Sequence, residues 1–238
     1  MTGFSFRAVS ARAGAYILLL AGLMQAVLTI DARHVGAPNF GETSLTELTQ
    51  ALLLLFCALM MGYMRYRYRV LRTISLLMGA FFAMSLIREN DLWLDTYVFD
   101  GAWQCLVALV ALPALVATIR ARHDFVDEFA QVSNSLGFGL FAGGFLTTYV
   151  FSRLYGRSEL WQALMGDHYL RVVKDAAEEM TELTGYSLLL FASIELLLMG
   201  KALHQARSAS NERLQVPMGA SETTASAVPS QYSPGHTR

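Results

Sequence analysis

The sequence contains two acidic features that could support chemistry in or near a membrane, one inside an apolar segment and one outside the apolar segments. The first is Glu195, which interrupts the apolar run LLLFASIELLLMG at residues 188–200. A bare carboxylate in hydrocarbon costs several kcal/mol, so we expect Glu195 to stay protonated and to donate a hydrogen bond. The acceptors predicted at its depth are the Leu109 carbonyl, which Pro113 leaves free, and the hydroxyl of Ser75. The alternative is that Glu195 binds and releases a proton or a cation during transport.

The second group consists of acidic residues outside the apolar segments. The stretch DHYLRVVKDAAEEMTEL at residues 167–183 predicts a helix with charged side chains on one stripe and apolar side chains opposite. Carboxylates grouped with an imidazole suit Ca²⁺, Mg²⁺ or Mn²⁺, so one hypothesis is a cation site on the outer surface. The other is a solvated helix face held by the pairs Arg171–Asp175 and Lys174–Glu178. The candidate residues of this outer acidic site are Glu89, Asp91, His168, Asp175, Glu178, Glu179 and Glu182.

Long apolar segments must position these acids. Of the 238 residues, 54% are hydrophobic and 16% are charged, whereas a soluble domain has about 25% charged residues. The hydrophobic residues form blocks long enough to cross a hydrocarbon core of ~30 Å as helices. The blocks are residues 13–31, 45–64, 70–87, 101–119, 135–155 and 183–203. They predict an all-α fold, a polytopic membrane protein with a bundle of six transmembrane helices and an acidic amphipathic extension before helix 6.

Basic residues indicate how the six predicted spans are oriented, since Lys and Arg concentrate in cytoplasmic loops. The loops at residues 31–44, 88–100 and 153–182 hold six basic and twelve acidic residues, so we expect them outside. The opposite segments carry Arg7, Arg12, Arg65, Arg67, Arg69, Arg72, Arg120, Arg122, Lys201 and Arg207. Both termini are therefore predicted to be cytoplasmic. The size and the short loops are typical of a multi-pass protein of the cell's inner membrane.

The chain is predicted to contain one folded unit and one tail. Residues 1–208 are expected to form the six-span transmembrane domain. Residues 209–238 are rich in Ser, Thr, Ala and Pro, and such a segment buries too little apolar surface to fold alone. We expect it to be a disordered cytoplasmic tail.

Small residues recur at every fourth position in two of the predicted spans, and this spacing places them on one helical face. Backbones approach closely at such a face. Two interpretations remain open, packing inside the bundle and the seam of a homo-oligomer. The residues are Ser135, Gly139, Gly143 and Thr147 in span 5, and Ser75, Gly79 and Ala83 in span 3.

Motifs for cofactors or catalysis do not occur in the sequence. It has no haem, nucleotide or flavin signature, and it contains no GxSxG, no HExxH and no phosphate-binding loop. A net charge of −1 gives no reason to expect nucleic acid as a partner. The cofactor to be considered is a divalent cation at the outer acidic site, and the expected partners are the lipid bilayer and a protein partner or a second copy of the chain.

Three functional hypotheses follow, and they leave open whether the protein is an enzyme. The first is a non-enzymatic membrane component or subunit whose acidic outward-facing surface docks a partner. The second is a proton- or cation-coupled carrier that uses Glu195 inside the membrane. The third is a metal-dependent enzyme that acts on lipid-linked substrates at the outer leaflet.

Overall fold

The computed structural model describes residues 6–33 and 45–215, and every regular element in these two ranges is helical. Two π-helical turns span Met64–Tyr68 and Thr147–Phe151, and a 3₁₀ turn spans Gly166–His168. The predicted all-α class is thereby confirmed. The helices are α1 (Phe6–Arg33), α2 (Leu45–Tyr63), α3 (Arg72–Glu89), α4 (Asp91–Tyr97), α5 (Ala102–Arg120), α6 (Arg122–Val132), α7 (Leu136–Leu146), α8 (Ser152–Tyr155), α9 (Ser158–Met165) and α10 (Arg171–Gln215).

Four of these helical stretches are long and apolar enough to cross a membrane, namely Phe6–Ile30, Leu45–Tyr68, Ala102–Arg120 and Arg171–Asn211. A fifth is added if α6 and the Leu136–Tyr155 segment, which are bent by 98° relative to each other, count as one span. Helix α3 is 18 residues long and includes Arg72, Arg88 and Glu89, which shortens its apolar part. The fold is therefore all-helical, with four to five helices suited to a membrane.

Helix α10 lies at the centre of the bundle and supplies Tyr186, Leu189 and Leu196 to its core. Its 45 residues give a length of about 67 Å, roughly twice the ~30 Å hydrocarbon core. The acidic segment and the last apolar span are thus parts of one continuous helix, as predicted. The helix continues past residue 208, where the tail was expected to begin, and residues 216–238 lie outside the described ranges.

Neighbouring helices run in alternating directions along α10. Helices α1 and α7 are antiparallel to α10, whereas α2 is parallel to it. For α1, Tyr16 contacts Glu195 and Met24 contacts Thr184. For α2, Gln50 contacts Glu179 and Met64 lies beside Gly200. For α7, Gly137 lies beside Leu196 and Thr148 lies beside Gly185.

Glycines allow α7 and α10 to approach closely at one level. A Cβ on Gly185 would lie 1.9 Å from Oγ1 of Thr148, and a Cβ on Gly144 would lie 2.9 Å from the Gly185 carbonyl oxygen. The small-residue face expected to pack in span 5 points elsewhere, because a Cβ on Gly139 or Gly143 would meet nothing within 4 Å. The close approach instead uses the glycines that face α10.

Helix α6 was not expected from the sequence. It packs against the N-terminal end of α3. Phe125 and Val132 turn toward the core cluster. On the same helix, the Glu128 carboxylate accepts hydrogen bonds from the backbone N–H groups of Thr73, at 2.8 Å, and Ile74, at 2.9 Å. These N–H groups belong to the first turn of α3 and have no partner within their own helix, so Glu128 caps α3 from a neighbouring element.

Candidate functional site

An acidic cavity of about 600 Å³ opens where the ends of α2, α3, α4, α8 and α10 meet. Two guanidinium groups, those of Arg88 and Arg153, also line it, together with the side chains of Leu48, Leu92 and Trp93. Acidic residues thus outnumber basic residues in its lining by six to two. The carboxylates belong to Glu47, Glu89, Asp91, Glu178, Glu179 and Glu182.

The cavity brings together most of the predicted outer acidic site, because Glu89, Asp91, Glu178, Glu179 and Glu182 all line it. It does not include His168 or Asp175. His168 lies in the 3₁₀ turn before α10 begins, and Asp175 lies one turn beyond the lining, where it pairs with Arg171 and Lys174. Glu47 was missed as a site residue, since only the packing of α2 against α10 brings the start of α2 to this place.

Ion pairs along the N-terminal part of α10 agree with the predicted i, i+4 pattern. Arg171 lies 3.5 Å from Asp175, and Lys174 lies 3.0 Å from Glu178. Arg153 approaches from α8, with its Nη1 3.5 Å from Oε1 of Glu178. The two predicted pairs and the cavity therefore occur together, and Glu178 belongs to both.

The deepest part of the cavity wall is held by hydrogen bonds between helices. Glu182, only 6% exposed, accepts a hydrogen bond from the Ser152 hydroxyl at 3.2 Å and lies 3.3 Å from Arg153. Gln50 has no exposed surface and donates from Nε2 to Oε2 of Glu179 at 2.9 Å. Its other amide atom, Oε1, has no hydrogen-bond partner among the described residues. Gln50 thus lies behind the cavity wall and holds Glu179 from the interior of the bundle.

Glu89 connects the cavity to the interior of the bundle. The hydroxyl of Tyr186 donates a hydrogen bond to Oε1 of Glu89. Further in, the hydroxyls of Tyr149 and Ser85 lie 2.5 Å apart. Burial raises the pKa of the Glu89 carboxyl above its ordinary value, while the Tyr186 hydrogen bond and the nearby Arg88 oppose that rise. Glu89 thus takes up a proton at a higher pH than an exposed glutamate does.

The arrangement of the carboxylates does not suit a chelated metal ion. Within residues 6–33 and 45–215, no three His, Cys, Asp or Glu side chains are grouped closely enough to hold one. Metal ligands must converge on one point at about 2.0–2.6 Å, whereas these carboxylates surround an open space of about 600 Å³. Such a space accommodates a larger cation. Trp93, stacked on Tyr97 at a ring-centroid distance of 5.2 Å, adds an aromatic surface suited to an ammonium or guanidinium group.

The second predicted site residue, Glu195, lies in an ion pair. Arg12 donates from Nε to Oε1 of Glu195 at 2.7 Å and from Nη2 to Oε2 at 3.2 Å. The Tyr16 hydroxyl donates to the same Oε1 at 2.8 Å, and its ring stacks on Phe191. Glu195 is only 7% exposed and Arg12 is 24% exposed. The Glu195 carboxylate therefore accepts three hydrogen bonds from side chains of α1.

This geometry corrects the predicted partners of Glu195. Neither the Leu109 carbonyl nor Ser75 is its partner, and Ser75 instead donates to a backbone carbonyl of α3. Arg12, which the sequence places among the basic residues of the predicted cytoplasmic segments, is the partner instead. Helix α1 begins at Phe6 and therefore includes Arg12, whose guanidinium group contacts the carboxylate.

A cavity of about 310 Å³ lies beside this ion pair, between α1, α10 and the turn that joins α6 to α7. Arg12, Glu195, Ser135 and Met199 are part of its lining. It shares no lining residue with the acidic cavity. Glu195 and the outer acids therefore belong to two separate sites.

Comparison with known protein families, with curated protein sequences and with solved structures finds no match to the chain.

Proposed function

We propose that the protein is a non-enzymatic, six-span membrane subunit that docks basic side chains of a partner protein in its outward-facing acidic cavity. The observation that carries the proposal is the lining of this cavity, in which six carboxylates face two guanidinium groups beside Trp93. Lysine and arginine side chains match it in charge, in size and in their affinity for aromatic rings.

Two observations support six spans with both termini in the cytoplasm. Each of the six predicted apolar blocks coincides with a helix, and α1, α2 and α7 run in the alternating directions that successive crossings require. The acidic cavity lies at the end of the bundle away from the arginine-rich turn between α2 and α3. Lys and Arg concentrate on the cytoplasmic side of membrane proteins, which would put the arginine-rich turn in the cytoplasm. The end with the acidic cavity would then face outward.

Electrostatics explains why this cavity favours a cationic occupant. Several carboxylates close together beside a low-dielectric membrane repel one another, and burial adds a desolvation cost for each ionised group. Protons relieve the repulsion at low pH, as the raised pKa of Glu89 indicates. At neutral pH the ammonium or guanidinium groups of a partner would relieve it.

The two alternatives are less well supported. The carrier hypothesis depends on a lone membrane acid that gains and loses a proton, but Arg12 and Tyr16 hold Glu195 with three hydrogen bonds. The metal-dependent enzyme requires ligands that converge on one point, and the carboxylates of the acidic cavity surround an open space instead.

A binding titration with a basic peptide tests the proposal. Trilysine amide is titrated by calorimetry into the full chain in neutral-detergent micelles, and we expect saturable binding that triglutamate does not reproduce. In Glu182→Gln the affinity should fall about ten-fold or more, because a hydrogen bond to a charged group contributes about 1.5–3 kcal/mol. The matched control is Glu159→Gln, which removes an exposed acid on α9 outside the cavity lining and should leave the affinity unchanged.

The pH dependence of the same titration gives a second readout. Since the pKa of Glu89 is raised, this carboxyl is neutralised as the pH falls toward that value, and peptide affinity should decrease. Glu89→Gln should bind more weakly at neutral pH and lose part of this pH dependence. Equal affinities for Glu182→Gln and Glu159→Gln would refute the docking site. Displacement of the peptide by micromolar Ca²⁺ or Mg²⁺ at constant ionic strength would favour a metal site instead.

A further inference from the structure

The turn between α2 and α3 concentrates positive charge at the opposite end of the bundle. The sequence RYRYRVLR at residues 65–72 contains four arginines in eight positions. Arg67, Arg69 and Arg72 are exposed, while Arg65 is half-buried. We call these eight residues the arginine turn.

The backbone of the arginine turn has a defined conformation. Helix α2 ends in a π-helical turn, after which Arg69, at φ 53°, and Leu71, at φ 49°, adopt the left-handed region. Arg65 donates a hydrogen bond from Nη1 to the carbonyl of Arg72 and thereby connects the two ends of the turn. One guanidinium group is thus used to hold the turn, and the other three project from it.

No carboxylate neutralises these arginines in the described part of the chain. None of the four forms an ion pair there. Glu128, which reaches the adjacent first turn of α3, is engaged by the backbone N–H groups of Thr73 and Ile74. The arginine turn therefore keeps its positive charge for a group outside the described residues.

The level of the arginine turn identifies the anions that surround it. The membrane-spanning stretch of α2 ends at Tyr68, so the arginines lie where the hydrocarbon gives way to lipid headgroups. Tyr63 and Tyr66 carry exposed rings in the same turns, and Tyr66 is 80% exposed. Tyrosine rings prefer this interfacial level, and phosphates are the anionic groups found there.

We propose that the arginine turn binds the phosphate of an anionic phospholipid, and so fixes this end of the bundle to the headgroup layer. Arg67, Arg69 and Arg72 supply the guanidinium groups, which pair with phosphate oxygens in a bidentate manner. Tyr66 lies among the headgroups beside them. This site is separate from the acidic cavity and does not depend on what that cavity binds.

Lipid binding by charge-neutralised variants tests the proposal. The full chain in neutral-detergent micelles is titrated with phosphatidylglycerol or phosphatidylcholine, and bound lipid is counted by native mass spectrometry. Phosphatidylglycerol should bind more tightly. Each basic residue near an anionic surface contributes about five-fold in affinity, so Arg67→Gln/Arg69→Gln should lose about 25-fold. The matched control, Arg120→Gln/Arg122→Gln, removes the same charge from exposed positions at the junction of α5 and α6 and should retain the preference.

Arg69→Gly separates lipid binding from stability of the turn. Glycine adopts the left-handed region without strain, so this variant should unfold at an equal or higher temperature in neutral detergent and still bind phosphatidylglycerol about five-fold more weakly. An equal loss in both double variants would overturn the proposal in favour of general charge attraction. Unchanged binding in Arg69→Gly would also overturn it, and so would displacement of the lipid by millimolar inorganic phosphate, which would indicate a site for free phosphate.

Discussion

Glu195 and Arg12 lie in a part of the bundle where neither charge would be tolerated alone. The carboxylate is almost fully buried, and the Arg12 guanidinium group contacts it from α1. Two hydrogen bonds from the guanidinium group and one from Tyr16 replace the water that the carboxylate loses. At the residue scale, this pair converts a costly buried acid into a specific link between α1 and α10.

Removing one member of the pair should therefore be worse than removing both. Glu195→Leu or Arg12→Met leaves a charge without its partner, and we expect each to lower the free energy of unfolding by about 2–4 kcal/mol. The double variant Arg12→Met/Glu195→Leu should recover most of that loss, because apolar side chains of similar size need no desolvation. Unfolding of all three proteins in mixed micelles, followed by circular dichroism, gives the comparison. Additive losses in the double variant would contradict the pairing.

The residues of this pair also show what the sequence can and cannot reveal at the residue scale. Glu195 is visible because a charged residue in an apolar run is unusual, and the sequence alone marks it for attention. The sequence does not identify its partner in the same way, because Arg12 precedes the predicted span and resembles an ordinary basic residue at the end of a membrane span. Only the register between α1 and α10, which depends on the packed bundle, brings the two together.

At the scale of elements, the crossing of α7 and α10 depends on glycines that leave no room for a side chain. Gly185→Ala would place a Cβ 1.9 Å from the Thr148 hydroxyl, where the backbone is also near, so the helices must separate. We expect a loss of about 1–3 kcal/mol in unfolding free energy. Gly139→Ala is the matched control, since its Cβ meets nothing within 4 Å and alanine favours a helix. Equal destabilisation of both variants would refute this packing.

The helices themselves follow from local sequence far better than their packing does. Apolar runs of sufficient length predict the helices at all six blocks, and the amphipathic stripe predicts the outward extension of α10. Helix α6 had a readable signal, because Phe125, Phe129 and Val132 are spaced as i, i+4 and i+7 on one face. The sequence gives no such signal for which glycine-bearing face of α7 packs against α10. Two glycine-bearing faces of α7 are equally plausible until a partner helix is in place.

At the scale of the whole molecule, the proposed topology predicts which loops are reached from each side of the membrane. In a Cys57→Ala/Cys105→Ala background, single cysteines at Asp95 and Glu159 should react with an impermeant maleimide added outside intact cells. A cysteine at Arg122 should react only after the membrane is opened, because Lys- and Arg-rich segments stay in the cytoplasm. Reaction of all three positions from outside would contradict six spans with cytoplasmic termini.

The acidic cavity and the arginine turn give the molecule a strong polarity along its long axis. The cavity gathers six carboxylates at one end of the bundle, whereas the arginine turn carries four guanidinium groups at the other. Helices that alternate in direction connect the two ends. The partner and the anionic lipid that we propose would bind at opposite ends, so the two proposed sites would not compete.

The link between Arg12 and Glu195 also has a consequence for biogenesis. The two residues are separated by 183 positions, so α1 leaves the translocon long before its counter-ion has been synthesised. Almost none of the apolar residues of α1 is buried in the bundle, so few other contacts hold it in the meantime. The link between α1 and α10 can therefore form only after Glu195 has been synthesised. A chain truncated before α10 therefore lacks the carboxylate that links its first helix to the rest of the bundle.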